Sequence, residues 1–211
     1  MIETIVKGFV IGLLVSAPMG PVNMLCVQRT LNKGRWHGFA TGLGALLSDV
    51  FYAFITLLGM SFIEDFLRKN EILIQLIGSL ILFIFGYVVF RSNPLKGWTP
   101  NIKIQETQYF HDFISSFFIT LSNVAIILVF ITLYARFTFT PVTSGNGYLM
   151  LALTAIFVGA LAWWFFLSSF ISRLRKHFNR RGLVVLNKTI GLILIIISGV
   201  GVLLSALNVT L

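Results

Sequence analysis

The sequence predicts an all-α polytopic membrane protein, one transmembrane domain over 1–211 built from six helical spans. Three observations carry this. Of the residues, 57% are hydrophobic and only 11% charged, with a mean hydropathy of +0.92, whereas a soluble domain carries about 25% charged residues. Apolar stretches of about 20 residues recur along the chain, each long enough to cross a hydrocarbon core of about 30 Å. The lysines and arginines fall between these stretches rather than along one face, so the net charge of +9 reads as a topology signal and not as a nucleic-acid surface.

The spans fall at about 4–27, 38–61, 72–90, 113–135, 147–171 and 189–207. The first runs from Ile5 to Val27 and is interrupted by Ser16-Ala17-Pro18-Met19-Gly20-Pro21-Val22-Asn23. Two prolines and a glycine within four residues break a helix, because proline lacks an N–H and its ring collides with the preceding turn. This break falls where the bilayer midplane would lie. Lys7 ahead of an apolar run gives the N-terminus the outline of a signal peptide, but the proline break and the spans that follow favour an uncleaved first helix. Gly8, Gly12 and Ser16, and then Gly34, Gly38 and Gly42, recur every fourth residue, the spacing that lets helix backbones approach closely in lipid.

The connections carry charge unevenly. Arg29, Lys33 and Arg35 lie in the first, Arg91, Lys96 and Lys103 in the third, and Arg173, Arg175, Lys176, Arg180, Arg181 and Lys188 in the fifth. Twelve of the sixteen basic residues thus sit in odd-numbered connections; the second and fourth hold Arg68, Lys69 and Arg136, with Glu64, Asp65 and Glu71 beside them. Because positive loops stay in the cytoplasm, both termini are expected outside. The fifth connection also suits anionic lipid headgroups.

The two halves read as copies, with repeat 1 at about 1–92 and repeat 2 at about 110–211. Ile77-Gly78 with Gly86 matches Ile190-Gly191 with Gly199, Gly44-Ala45-Leu46 matches Gly159-Ala160-Leu161, and Phe9 before the first break matches Phe113 before Ser122-Asn123. A three-span unit inserts upside down relative to its twin, which gives the 3+3 inverted repeat of many secondary transporters, with substrate at the midplane where helices are interrupted.

Asp49 is the sharpest chemical signal, the one acidic residue near the centre of a span. A carboxylate there costs about 2.5–3.5 kcal/mol on insertion scales, and such residues usually serve ion or substrate pathways. At helical spacing Gly42, Ala45, Asp49 and Ala53 share a small-residue face while Leu47, Phe51 and Phe54 cover other sides, so Asp49 is expected to point into the bundle. A structural aspartate bonded to neighbouring helices is the competing reading. The break at Pro18, Gly20 and Pro21 frees carbonyls before it and N–H groups after it, and the N–H end suits an anion; Asn23 adds a neutral hydrogen-bonding group, and Ser48 neighbours Asp49. A plain proline kink is the alternative. Asn123 mirrors the first break and is placed either in the same cavity or in an interhelical hydrogen bond. Trp163 and Trp164 fit an aromatic belt or a substrate contact. Gln28 lies near a span end. His37, His111 and His177 lack ligand spacing, so no metal is expected. Cys26 is the sole cysteine, which excludes an internal disulfide and a two-thiol relay. No nucleotide-binding loop or nucleophile motif is present, so neither a cofactor nor an enzymatic activity is expected.

The run from Ser16 to Asn23, then Gly34, Gly38, Gly42-Leu43-Gly44 and Ser48-Asp49-Val50-Phe51, resembles the LysE/RhtB family of bacterial amino-acid exporters. Phe113 to Asn123, the tryptophan pair, the basic fifth connection and Asn187 followed by Gly191 extend the resemblance over nearly the whole chain. It implies a six-span exporter of the bacterial cytoplasmic membrane, driven by the proton gradient, for amino acids or related small metabolites. Many members have Pro-Gly-Pro where this chain has Pro18-Met19-Gly20-Pro21, and Asn-Pro where it has Asn123-Val124, which withholds the proline that would enforce a second break. The expected partners are an amino acid, protons and the lipid bilayer, with no nucleic acid; a homo-oligomer is compatible with the sequence but leaves no readable trace in it. The expected mechanism places a substrate carboxylate at the N–H groups after Pro21 and its ammonium at Asp49, which also binds the proton. An inorganic-ion transporter or passive channel of related fold is the alternative.

Overall fold

The computed structural model describes residues 1–61, 71–92, 109–123, 125–137, 139, 146–174 and 180–206. Among them the chain forms eight helices: α1 (Ile2–Ser16), α2 (Pro21–Lys33), α3 (Arg35–Ser61), α4 (Glu71–Arg91), α5 (Tyr109–Leu121), α6 (Ala125–Arg136), α7 (Asn146–Leu174) and α8 (Arg180–Ala206). Lys96, Lys103, Glu64, Asp65, Arg68, Lys69, Arg175, Lys176 and His177 lie outside the described residues. Several helices run past the expected spans; α5 begins four residues early and α8 nine. Backbone hydrogen bonding continues into polar sequence once an apolar segment has nucleated the helix.

By length and apolarity α3 and α7 can each cross a membrane, and α1 with α2 and α5 with α6 qualify as two bent pairs. Within α4 and α8 the described apolar runs, Ser79–Arg91 and Asn187–Val200, are shorter. The exterior carries large apolar side chains, Leu47, Phe51, Ile84 and Phe166 among them, while Asp49, Thr56, Ser116 and Asn187 are buried. That distribution suits hydrocarbon outside and polar contacts within.

Two breaks bend the bundle. The axes of α1 and α2 differ by 77° and those of α5 and α6 by 71°. The first follows from the prolines: Pro21 opens α2 at the position where a missing N–H costs nothing, with Gly20 extended ahead of it. The second forms without a proline. The Ser122 N–H and hydroxyl both donate to the Phe118 carbonyl, the Asn123 N–H turns back to Thr120, and the Asn123 carbonyl accepts from Ile126 to begin the next helix. These backbone turns at Ser122 and Asn123 interrupt the helix here, as the prolines do in the first span.

The most extensive contacts join α1 to α7, α3 to α5 and α4 to α8. A Cβ on Gly159 of α7 would collide with the Phe9 carbonyl of α1, and one on Gly44 of α3 with the Phe113 carbonyl of α5. These glycines let backbones touch, as small residues do in lipid. Gly159→Ala is expected to cost about 1–3 kcal/mol by overpacking, while Gly59→Ala, whose Cβ meets nothing within 4 Å, leaves stability unchanged. Thermal unfolding of the two purified variants in one detergent compares them directly.

Candidate functional site

The breaks and the middle of α3 surround one cavity of about 520 Å³, within the range of small-molecule sites. Ser16, Pro18, Gly20, Pro21, Asn23, Asp49, Thr120 and Asn123 are among its lining residues, and α4 and α6 supply many of its apolar ones. Of the residues the sequence singled out, the structure thus brings Pro18, Gly20, Pro21, Asn23, Asp49 and Asn123 to one space. Ser48 is not among the lining residues; its hydroxyl donates to the Phe117 carbonyl at 2.8 Å and ties α3 to α5. Trp163 reaches the site through Asn23, and Trp164 is the tryptophan in the wall.

Asp49 is 4% exposed, with Ala45 and Ala53 buried on the same face and Leu47, Phe51 and Phe54 turned outward. The Ser16 hydroxyl, in the last turn of α1, donates to Asp49 Oδ2 at 3.2 Å. Among the described residues no basic side chain lies within ion-pair distance of Asp49. A buried carboxylate with one neutral donor has spare acceptor capacity.

The break is held open by side chains. Asn23 Nδ2 donates to the carbonyls of Ser16 at 3.1 Å and Pro18 at 3.0 Å, which the interruption leaves without helical partners. Its Oδ1 accepts from Trp163 Nε1 at 3.3 Å. The Met24 N–H is the first of α2 to find a carbonyl inside the turn, that of Gly20 at 3.1 Å, so the N–H groups of Val22 and Asn23 have no intrahelical acceptor.

Two features escaped the sequence reading as site residues. Asn187 of α8, fully buried, accepts from the Met19 N–H at 3.2 Å and donates to the Val89 carbonyl at 2.7 Å and Ser92 Oγ at 2.9 Å. It clamps the broken segment to the end of α4, which lines the cavity. Its position beside the basic residues of the fifth connection hid it among topology signals. Asn187→Ala strips a buried N–H of its acceptor, which costs about 1–3 kcal/mol, and is expected to lower the melting temperature of the purified protein; an unchanged temperature would deny it that clamping role.

The second feature is an ion cluster. Asp112, at the start of α5 and fully buried, faces Arg29 Nε at 3.0 Å, Lys33 Nζ at 3.5 Å and His37 Nδ1 at 2.6 Å. Arg29 also donates through Nη1 to the Asp112 carbonyl at 2.8 Å and through Nη2 to Ser115 Oγ at 2.8 Å. The cluster pins the α2–α3 hairpin, turned at Gly34 with φ of 110°, onto the other half of the chain. No group of three or more histidine, cysteine or carboxylate side chains that could hold a metal occurs among the described residues.

No solved structure matches the chain. A protein of Bacillus subtilis (strain 168), "Putative amino acid efflux protein YcgF", is 27% identical over 180 residues, 82% of each chain. The family model described as LysE type translocator matches residues 13–206. With nearly its whole length matched, the chain belongs to the LysE type translocator family.

Proposed function

We propose that the chain is a secondary active exporter of amino acids or related small metabolites across the bacterial cytoplasmic membrane, working by proton antiport. The observation that carries this is the buried Asp49, which has no basic partner among the described residues and lines a cavity beside the start of α2. A zwitterion suits that arrangement. Its carboxylate meets the N–H groups of Val22 and Asn23, where the helix dipole is positive, and its ammonium meets Asp49. The same carboxylate can hold either the substrate ammonium or a proton. Substrate ammonium and proton then compete for one group, and that competition is what an antiporter requires.

Six spans in a 3+3 inverted repeat fit this function. Exchanging the first three spans with the last three turns the α1–α7 contact into the α5–α3 contact, and the Phe9–Gly159 approach into the Phe113–Gly44 approach. The α4–α8 contact maps onto itself, and each half begins with a bent pair. Such repeats rock about a midplane site. The end of the bundle where Arg29, Lys33, His37 and Asp112 meet is the cytoplasmic end by the distribution of positive charge, which leaves both termini outside; the bilayer, an amino acid and protons are the partners.

Efflux from cells overproducing the chain, preloaded with dipeptides so that each amino acid accumulates in turn, tests this reading. Faster loss of a defined subset, abolished by a protonophore, is the expected result. Loss that persists without a gradient and shows no saturation would favour a passive channel.

A further inference from the structure

The cavity's lining combines one charged group with a largely apolar remainder, and two lining residues carry a buried polar atom without a partner among the described residues. Trp164 Nε1 and Thr120 Oγ1, on side chains 2% and 4% exposed, make no hydrogen bond among the described residues. An indole N–H is a donor only, and buried donors are nearly always satisfied. The donors that the cavity does offer are the N–H groups of Val22 and Asn23 at the start of α2, both lining residues, and they suit acceptor oxygens on an occupant. Asp49, the one charged group in the lining, suits an occupant that also brings a cation. One zwitterionic head group brings both. The remaining wall is mostly apolar, with Leu82, Phe85 and Val89 of α4 and Ile126 and Val129 of α6, and its polar members Ser92 and Thr132 are uncharged. Asp49 is the sole charged residue in the lining. Once it holds the α-ammonium, a second cation has no counter-charge, and a side-chain carboxylate has no basic partner at all. Burying either charge unpaired is strongly unfavourable.

We propose, resting on the transport reading above, that this site selects neutral amino acids with aliphatic or aromatic side chains and rejects basic and acidic ones, with Leu82, Phe85 and Val89 as the specificity-determining wall. Selection arises because the apolar side chain leaves water for a largely apolar wall that holds no counter-charge.

The test uses the full chain reconstituted in liposomes loaded with unlabelled leucine, with uptake of labelled leucine as the counterflow signal. External leucine, methionine or phenylalanine is expected to suppress that signal at concentrations at least about tenfold lower than lysine, arginine or glutamate. Phe85→Asp places a second carboxylate in the apolar wall and is expected to raise the effectiveness of lysine relative to leucine by about tenfold; should this variant not fold, the competitor series on the unaltered chain decides alone. Lysine or glutamate competing as well as leucine would overturn the proposed selectivity and leave the exporter standing. Absence of counterflow for leucine and, in matching liposomes, for lysine and glutamate would overturn the selectivity together with the transport reading.

Discussion

Asp49→Asn is expected to abolish the acceleration of efflux by an inward proton gradient while leaving a folded protein. Asparagine keeps the size of the side chain and can still accept from Ser16, whose hydroxyl stands 3.2 Å from Oδ2, so the α1–α3 contact survives. What it loses is the capacity to bind a proton or to neutralise an ammonium. A hydrogen bond to a charged group contributes about 1.5–3 kcal/mol, and its loss corresponds to about 10- to 100-fold weaker substrate binding. Efflux by the variant, measured with the exterior neutral and then acidic, separates the two effects. A variant that retained the response to the gradient would remove Asp49 from the proton path. A Glu substitution restoring part of the response would assign it to the carboxylate rather than to the shape of the site.

The second large effect concerns Asp112. Replacing it by Ala leaves Arg29, Lys33 and His37, all largely buried, without the carboxylate they converge on. Removing one partner of a buried ionic group costs about 3–5 kcal/mol, because the remaining charges are stranded out of water. Asp112→Ala is therefore expected to lower the folded yield and the melting temperature sharply. Arg29→Gln costs less, since Lys33 and His37 still face the acid and glutamine can donate toward Ser115 or the Asp112 carbonyl. Melting temperatures in that order, unaltered chain above Arg29→Gln above Asp112→Ala, support the cluster as the tie between the α2–α3 hairpin and α5. Equal temperatures for all three would mean that water already screens the group.

The residues whose placement could be read from the sequence share one property: that placement follows from one helix alone. Asp49 stands among small residues with bulky ones on the remaining sides, so its inward direction was set by helical period, and the double proline enforced its own break. The break at Asn123 was not enforced in this way, because it depends on Ser122 and Asn123 turning back onto Phe118 and Thr120, which a continuous helix could also have accommodated. Which of Trp163 and Trp164 meets the cavity is a matter of the rotation of α7 against α3, where Gly42 lies against the Trp164 side chain; adjacent residues on a helix differ by a large angle, and only packing chooses between them. Ser48 shows the same limit, next to Asp49 in sequence yet turned to α5. Asp112 and Asn187 lie near helix ends, where polar residues ordinarily face water. Their burial comes from the crossing of distant segments, Arg29 with Asp112 and Met19 with Asn187, and no local pattern records such a crossing. Gly44 and Gly159 were legible only as matched positions in the two halves, and their close approaches to Phe113 and Phe9 required the assembled bundle.

The most direct test of the central claim follows protons and substrate together. Liposomes containing the full chain, loaded with a transported amino acid and a pH-sensitive dye, are diluted into amino-acid-free buffer at the same pH. As the amino acid leaves, antiport draws protons inward, so the lumen is predicted to acidify, at a rate that falls to the protein-free level in Asp49→Asn. Amino acid leaving the liposomes with no change in luminal pH, or with alkalinisation, would contradict proton antiport at this site.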